Sequence, residues 1–293
     1  MIPMRFRTEL APHRASFGIG HDEPVLLLGS CFSDSVGERL GLDGFDVLAN
    51  PFGALYNPLS IENCLRRAVD ERPYTEYDLR PGPRGFHCLD YATRFSGADA
   101  EAVQADVEGV RASVADILRR NPIVIVTLGT AYVFYQKETG MAVGNCHKFP
   151  AECFERRLLS VPSAAASVGR MLEILKAAGC QKVIFTVSPI RHLADGLHGN
   201  QLSKATLHLA IDAALADGAP DGIAADYFPA YEALVDDLRD YRFYAADMKH
   251  PSEVAVDYIY GLFSDAYFDT ATRAAALAAR AAARRSAHRP ILD

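Results

Sequence analysis

No Cys-x-x-Cys pair occurs among the six cysteines, at positions 31, 64, 88, 146, 153 and 180. That spacing fits reduced thiols, not a disulfide framework or a zinc knuckle. No Gly-x-Gly-x-x-Gly follows any expected strand, so a nucleotide-dependent oxidoreductase is a poor reading. No lysine- or arginine-rich run interleaved with aromatics precedes the extreme C-terminus, and the net charge is −7; a nucleic-acid partner is not expected. No window reaches the ~18 uninterrupted apolar residues of a membrane span, and the start MIPMRFRTELAPHR lacks an apolar signal core. The expected location is therefore the cytoplasm. Tryptophan is absent, which decides nothing.

What is present is an ordinary globular composition. With 293 residues, 49% hydrophobic and 23% charged, the chain has enough apolar matter for one sizeable α/β core. The stretch PVLLLGSCFSDSVGERL, residues 24–40, organises it. Val25 to Leu28 is a continuous apolar run, as in a strand covered on both faces, and Gly29 ends it. Val36 and Leu40, four apart, then mark a helix with Asp34 and Glu38 on its early turns. Cys31 thus falls at a strand-to-helix elbow, where unpaired N–H groups and the helix dipole favour an anion and stabilise a thiolate. Against this stands the common use of cysteine as a small buried hydrophobe. A polar Gly-Ser-Cys at the carboxyl end of a buried strand is hard to explain by packing alone.

The pattern then repeats. A second strand at 45–49 runs into the turn-rich loop NPFGALYNP, and Asn57-Pro58 caps a helix continuing to about residue 71. Residues 72–98 read as an irregular insertion with a hairpin. A helix over 99–120 precedes the strand IVIVTLGT, 123–130. Alternating aromatics on either side of Lys137 to Gly140 predict a hairpin returning Gly144 to Lys148 toward Gly129. A helix over 162–178 closing at Gly179, a strand from Lys182, a helix from Leu202 to Leu215, a strand over 222–228 and a helix over 231–238 complete the alternation. Pro251 opens a last helix with Val254, Ala255, Tyr258, Ile259 and Leu262 as its apolar face. The expected architecture is a three-layer, doubly wound, mainly parallel sheet of flavodoxin-like order with a β-hairpin insertion and a C-terminal helix. One domain spans 1–268, and 269–293 is an Ala/Arg-rich helical tail, solvated or facing a partner.

Covalent acyl chemistry needs a nucleophile, a base, an orienter for the base, and donors for the oxyanion. Cys31, His250 and Asp247 fill the first three roles from loops at strand ends. Donors are available in principle from the Cys31 and Gly53 backbone and from the 129–131 turn.

The ordered blocks Gly-Ser-Cys-Phe, Asn-Pro-Phe-Gly, Leu-Gly-Thr-Ala, Gly-Asn-Cys-His-Lys-Phe-Pro and Asp-Met-Lys-His-Pro resemble the GSCFA domain family, a branch of the SGNH or GDSL-like hydrolases, over roughly residues 20–265. The resemblance implies that Cys31 stands where those enzymes carry a nucleophilic serine, that Ser30 stands where an Asp usually does, and that Gly53 gives an oxyanion N–H. Asp247 and His250 match the Asp-x-x-His block fully. The Asn of the Gly-x-Asn-Asp block is missing at Gly129-Thr130-Ala131. Thr130, Asn145 or His147 are the expected replacements.

Alternatives remain at several positions. Ser30 is a second possible nucleophile or a turn former. Cys146 and His147 match no metal signature, and neither a metal nor another cofactor is expected. Ser30, His147, Lys148, Arg191, His192 and Lys204 are the expected substrate contacts, with His192 and His198 otherwise plain polar loop residues. The expected activity is that of an esterase, thioesterase or acyltransferase on a small acylated substrate, an ester or thioester donor. The competing function is an inactive module of the same fold that binds a carbohydrate or acylated ligand. The residues leave the oligomeric state open.

Overall fold

The structure, a computed structural model, describes residues 8–83 and 85–287. The first residues of the expected domain and the last of the expected tail lie outside that range. Five parallel strands form the centre: β1 (Val25–Gly29), β2 (Val47–Ala49), β6 (Ile123–Leu128), β10 (Lys182–Val187) and β11 (Ala224–Tyr227), in the spatial order β11-β10-β6-β1-β2. Numbered along the chain this is the flavodoxin-like order 2-1-3-4-5. The expected doubly wound fold is present.

The unbroken apolar runs explain the layers. Leu26, Leu28, Val124, Val126, Val183 and Phe185 face one side and pack on α2 (Pro58–Val69), α3 (Ala100–Arg119), α4 (Val161–Ala177) and α5 (Gly196–Ala216). Their neighbours Val25, Leu27, Ile123, Ile125 and Ile184 face the other, against α1 (Cys31–Leu42) and α7 (Glu253–Tyr267). Both faces are dry, and each such side chain contributes roughly 1.5–3 kcal/mol. Asn57 caps α2 with Pro58 in its first turn, as its sequence indicates.

Two small antiparallel sheets are inserted. In the 72–98 segment, β3 (Leu79–Gly82), β4 (Gly85–Cys88) and β5 (Ser96–Gly97) form the first, which contains the expected hairpin. The second joins β7 (Tyr132–Gln136) to β8 (Ala142–Val143) and β9 (Phe154–Leu158). The first pair is the expected hairpin. Strand β9 was not foreseen, because Glu155, Arg156 and Arg157 disguise it; they suit an edge strand, and Arg156 pairs with Asp195.

Three boundaries differ from expectation. Helix α5 begins at Gly196, six residues early, although Gly196 and Gly199 read as loop. A short helix, α6 (Ala230–Glu232), passes into a π-helical turn over Ala233–Leu238 that ends at left-handed Arg239. In α7 the cap is Ser252, and the buried face is Ala255, Val256, Ile259, Tyr260, Phe263 and Tyr267, while Val254 is 66% exposed. The segment is apolar on most of its circumference, so periodicity alone misplaced the stripe by about one residue. Helix α8 (Thr270–Ala287) is docked, with Thr272 Oγ1 donating to Ile19 O, Arg280 paired with Asp43 of the 43–46 turn and Ala276 buried.

Candidate functional site

The loops that leave β1, β6 and β10 meet at the carboxyl ends of the central strands, where open α/β sheets hold their sites. At the first of these, Gly29 has φ +134°, and any Cβ there would collide with the Thr127 carbonyl oxygen. Only glycine permits the turn. Ser30 then caps α1, its Oγ accepting from Phe32 N at 3.3 Å and donating to Ser188 Oγ at 2.9 Å. The Ser30 hydroxyl is fully buried and turned inward. Cys31 is the first helical residue and half-buried.

Residue Asn50, flagged in the sequence only as a turn former, clamps this elbow. Its Oδ1 accepts from Gly29 N at 2.9 Å, and its Nδ2 donates to Ser30 O at 3.1 Å. It is buried and left-handed, φ 42°, a conformation that asparagine tolerates better than most residues. The Asn-Pro dipeptide was the available signal.

The nucleophile candidate meets a histidine from the far end of the chain. Cys31 Sγ lies 3.6 Å from His250 Nε2, and His250 Nδ1 lies 2.5 Å from Asp247 Oδ2. The other Asp247 oxygen accepts from the backbone N–H of Lys249 at 2.9 Å and of His250 at 3.0 Å. These bonds hold the Asp247 carboxyl well below the usual carboxylate range, the His250 N–H first among them. His250 therefore sits in a fixed ring orientation at the solvent face, with its side chain 47% exposed. The loop is pinned by Ala245 N donating to His250 O at 2.7 Å and Arg191 N donating to Lys249 O at 3.2 Å.

The thiolate expected at rest is not what the surroundings favour. Burial pushes the Cys31 thiol above its ordinary value; its own N–H and the Tyr56 hydroxyl oppose this, whereas Asp34 and Asp247 add to it. A helix N-terminus is worth about 0.3–1 kcal/mol at a surface site and up to about 2 kcal/mol where partly buried, roughly 1.5 pK units at most. Desolvation and two carboxylates outweigh it.

Apart from the Cys31 N–H, the expected backbone oxyanion donors are spent elsewhere. Gly53 N donates to Asn50 O at 2.8 Å. Thr130 N and Gly129 N both donate to Tyr56 O, at 2.9 and 2.7 Å, and Ala131 N donates to Ser203 Oγ at 2.7 Å. The Thr130 hydroxyl pairs with the same Ser203 Oγ. Asn145 Oδ1 caps His147 N, and Asn145 N donates to Leu89 O. The hairpin return thus lies against the 87–91 segment, where buried His147 bonds Tyr91 O at 3.0 Å and faces His87. Lys148 is exposed on that loop. These contacts do not bring Asn145, His147 or Lys148 to Cys31.

Of the remaining expected contacts, Lys204 is inside the protein, 1% exposed, its Nζ donating to Gly129 O at 2.7 Å and Ser188 O at 2.6 Å. It ties β6 to β10 beneath the site and cannot reach a substrate. Burial pulls its ammonium down to about 7. His192 packs edge-on against the Tyr56 ring at 5.0 Å, and burial pushes it down to about 4, so it is neutral. Arg191 lies at the rim over Tyr244, 4.1 Å from the ring centre. Among the described residues no group of three His, Cys, Asp or Glu is disposed to hold a metal ion, and no helix is long and apolar enough to cross a membrane.

Fold and site together define a three-layer α/β protein with a Cys–His–Asp array at the carboxyl ends of its strands. The GSCFA family model matches residues 24–263, and the chain belongs to that family. No curated protein matches it. A solved structure, a carbohydrate esterase family 3 protein from Talaromyces cellulolyticus, aligns with 82% of this chain and 94% of its own at 13% identity and a TM-score of 0.39.

Proposed function

We propose that this protein is an acyl-transfer enzyme, an esterase, thioesterase or acyltransferase of SGNH-like design, that forms a covalent thioester on Cys31. The observation that carries this is the contiguous array of Cys31 Sγ, His250 and Asp247, at 3.6 and 2.5 Å. Because burial keeps the thiol protonated, His250 Nε2 acts as a general base and does not form a resting ion pair. It removes the Sγ proton as sulfur attacks the acyl carbonyl, then returns that proton to the leaving group. Asp247 fixes the tautomer that leaves Nε2 free to accept. Water or an acceptor then attacks the thioester, with His250 again taking the proton. Ser30, turned away and capping α1, is a structural residue in this scheme. Six unpaired cysteines and a thiol nucleophile suit the cytoplasm.

A second reading has one observation in its favour: Gly53, Thr130 and Asn145 are all committed to internal hydrogen bonds, as in a binding module without catalysis. Incubation with a small activated ester, followed by peptide mass spectrometry, separates the two. The expected result is an acyl adduct on Cys31, formed about 10²–10⁴-fold more slowly in His250→Ala. Turnover that survives in Cys31→Ala would overturn the proposal.

A further inference from the structure

The array lacks a side-chain oxyanion donor at the position where the resemblance leads one to expect asparagine, and the backbone N–H groups of the 129–131 turn are consumed. Two of them, from Gly129 and Thr130, converge on the carbonyl of Tyr56. The turn that lost its asparagine thereby anchors a tyrosine instead. The Tyr56 ring is wedged between His192, at 5.0 Å, and Gly129, where an added Cβ would crowd Tyr56 Cδ1 at 3.1 Å. One residue earlier, Leu55 N donates to Gly29 O at 2.9 Å, so the tyrosine leaves the chain beside the Cys31 elbow, where its phenol and the Cys31 thiol act on each other's proton affinity.

We propose that the Tyr56 hydroxyl is a catalytic oxyanion donor, paired with the Cys31 backbone N–H at the start of α1, a role that rests on the acyl-transfer reading above. As the C–S bond forms, the carbonyl π pair moves onto oxygen, and that oxygen accepts from Tyr56 Oη and Cys31 N. Collapse restores the carbonyl and breaks the bond to the leaving group, which departs with the proton held by His250. A hydroxyl beside Sγ is close to where the tetrahedral oxygen develops, and the helix N-terminus supplies a second donor with no intrahelical partner. Burial, with Cys31 and Asp34 as neighbours, keeps the phenol protonated and therefore a donor. Lys204 and His192 are not alternatives: the first is spent on two carbonyls, and the Nε2 of the second is shut off from solvent.

Tyr56→Phe keeps the ring between His192 and Gly129 and removes only the hydroxyl. Two rates are measured on intact protein: acylation by an activated ester, and alkylation by iodoacetamide, whose transition state develops no oxyanion. The expected result is a loss of about 10²–10³-fold in acylation, with alkylation little changed when compared at equal thiolate fraction. Parallel loss of both rates would confine Tyr56 to the thiol and overturn the assignment, as would loss of neither. Failure of the acyl-transfer reading has a different signature: wild-type Cys31 that alkylates but never acylates. A thermal melt of Tyr56→Phe matching wild type excludes a folding defect, and Tyr56→Leu, which also removes the aromatic ring, is expected to be no more active than Tyr56→Phe.

Discussion

Replacing Asn50 by alanine removes the clamp on the Cys31 elbow, and its cost follows from the hydrogen bonds. Gly29 N loses its acceptor at 2.9 Å and is left buried without a partner, worth about 1–3 kcal/mol. Ser30 O loses the Nδ2 donor but keeps Ser33 N at 2.9 Å, so that loss is nearer 0.5–1.5 kcal/mol. Alanine also holds φ 42° less well than asparagine, adding about 1 kcal/mol. The sum is about 4 kcal/mol, read as the shift in unfolding free energy by urea titration. Asn50→Gly relieves the dihedral cost and is expected to lose about 3 kcal/mol, which separates backbone strain from hydrogen bonding. Since Gly29 and Ser30 lead directly into Cys31, acylation of Cys31 should fall in both variants. Losses under about 1 kcal/mol in both, with acylation unchanged, would refute the clamp.

Two further outcomes are specific. Ser30→Ala removes the α1 cap and should cost about 1 kcal/mol in urea unfolding while the Cys31 adduct still forms; disappearance of acylation in a folded Ser30→Ala protein would return the nucleophile question to Ser30. Lys204 gives a pH test. Its folded ammonium releases a proton near pH 7, against 10.5 ordinarily, so above pH 7 the unfolded chain binds more protons and the stability contributed by this site rises with pH. Relative to Lys204→Met, wild type should gain about 1.4 kcal/mol per pH unit between pH 7 and 10, and a pH-independent difference would mean that folded Lys204 keeps its proton and would contradict the lowered proton affinity.

The general-base assignment for His250 joins residues 219 positions apart, and both ends were readable. Gly-Ser-Cys after an apolar run and Asp-x-x-His before a helix are local patterns, and each fixes its own backbone. Asp247 and His250, three residues apart, share one loop whose N–H groups bond the carboxylate. Proximity of that kind survives without knowledge of the fold. The donors were not readable in the same way. Gly53 and Thr130 carry N–H groups in the expected places, yet whether an N–H is free depends on which carbonyl the rest of the chain brings to it.

The sequence alone determined the sheet and its crossovers, because unbroken apolar runs such as VLLL and IVIV can only be satisfied by burial on both faces. It also determined the elbow, because glycine alone adopts the φ that Gly29 requires. Tertiary structure alone decided the rest. It put Tyr56 beside the Cys31 elbow through bonds from Gly129 and Thr130, 73 and 74 positions further along the chain. It carried the 145–148 return onto Tyr91 and away from the thiol, and it sealed Lys204 beneath β6 and β10. It also reversed the expected charge state of Cys31, for a thiol's proton affinity follows its desolvation and the carboxylates facing it, and neither quantity is written in the residues adjacent to it.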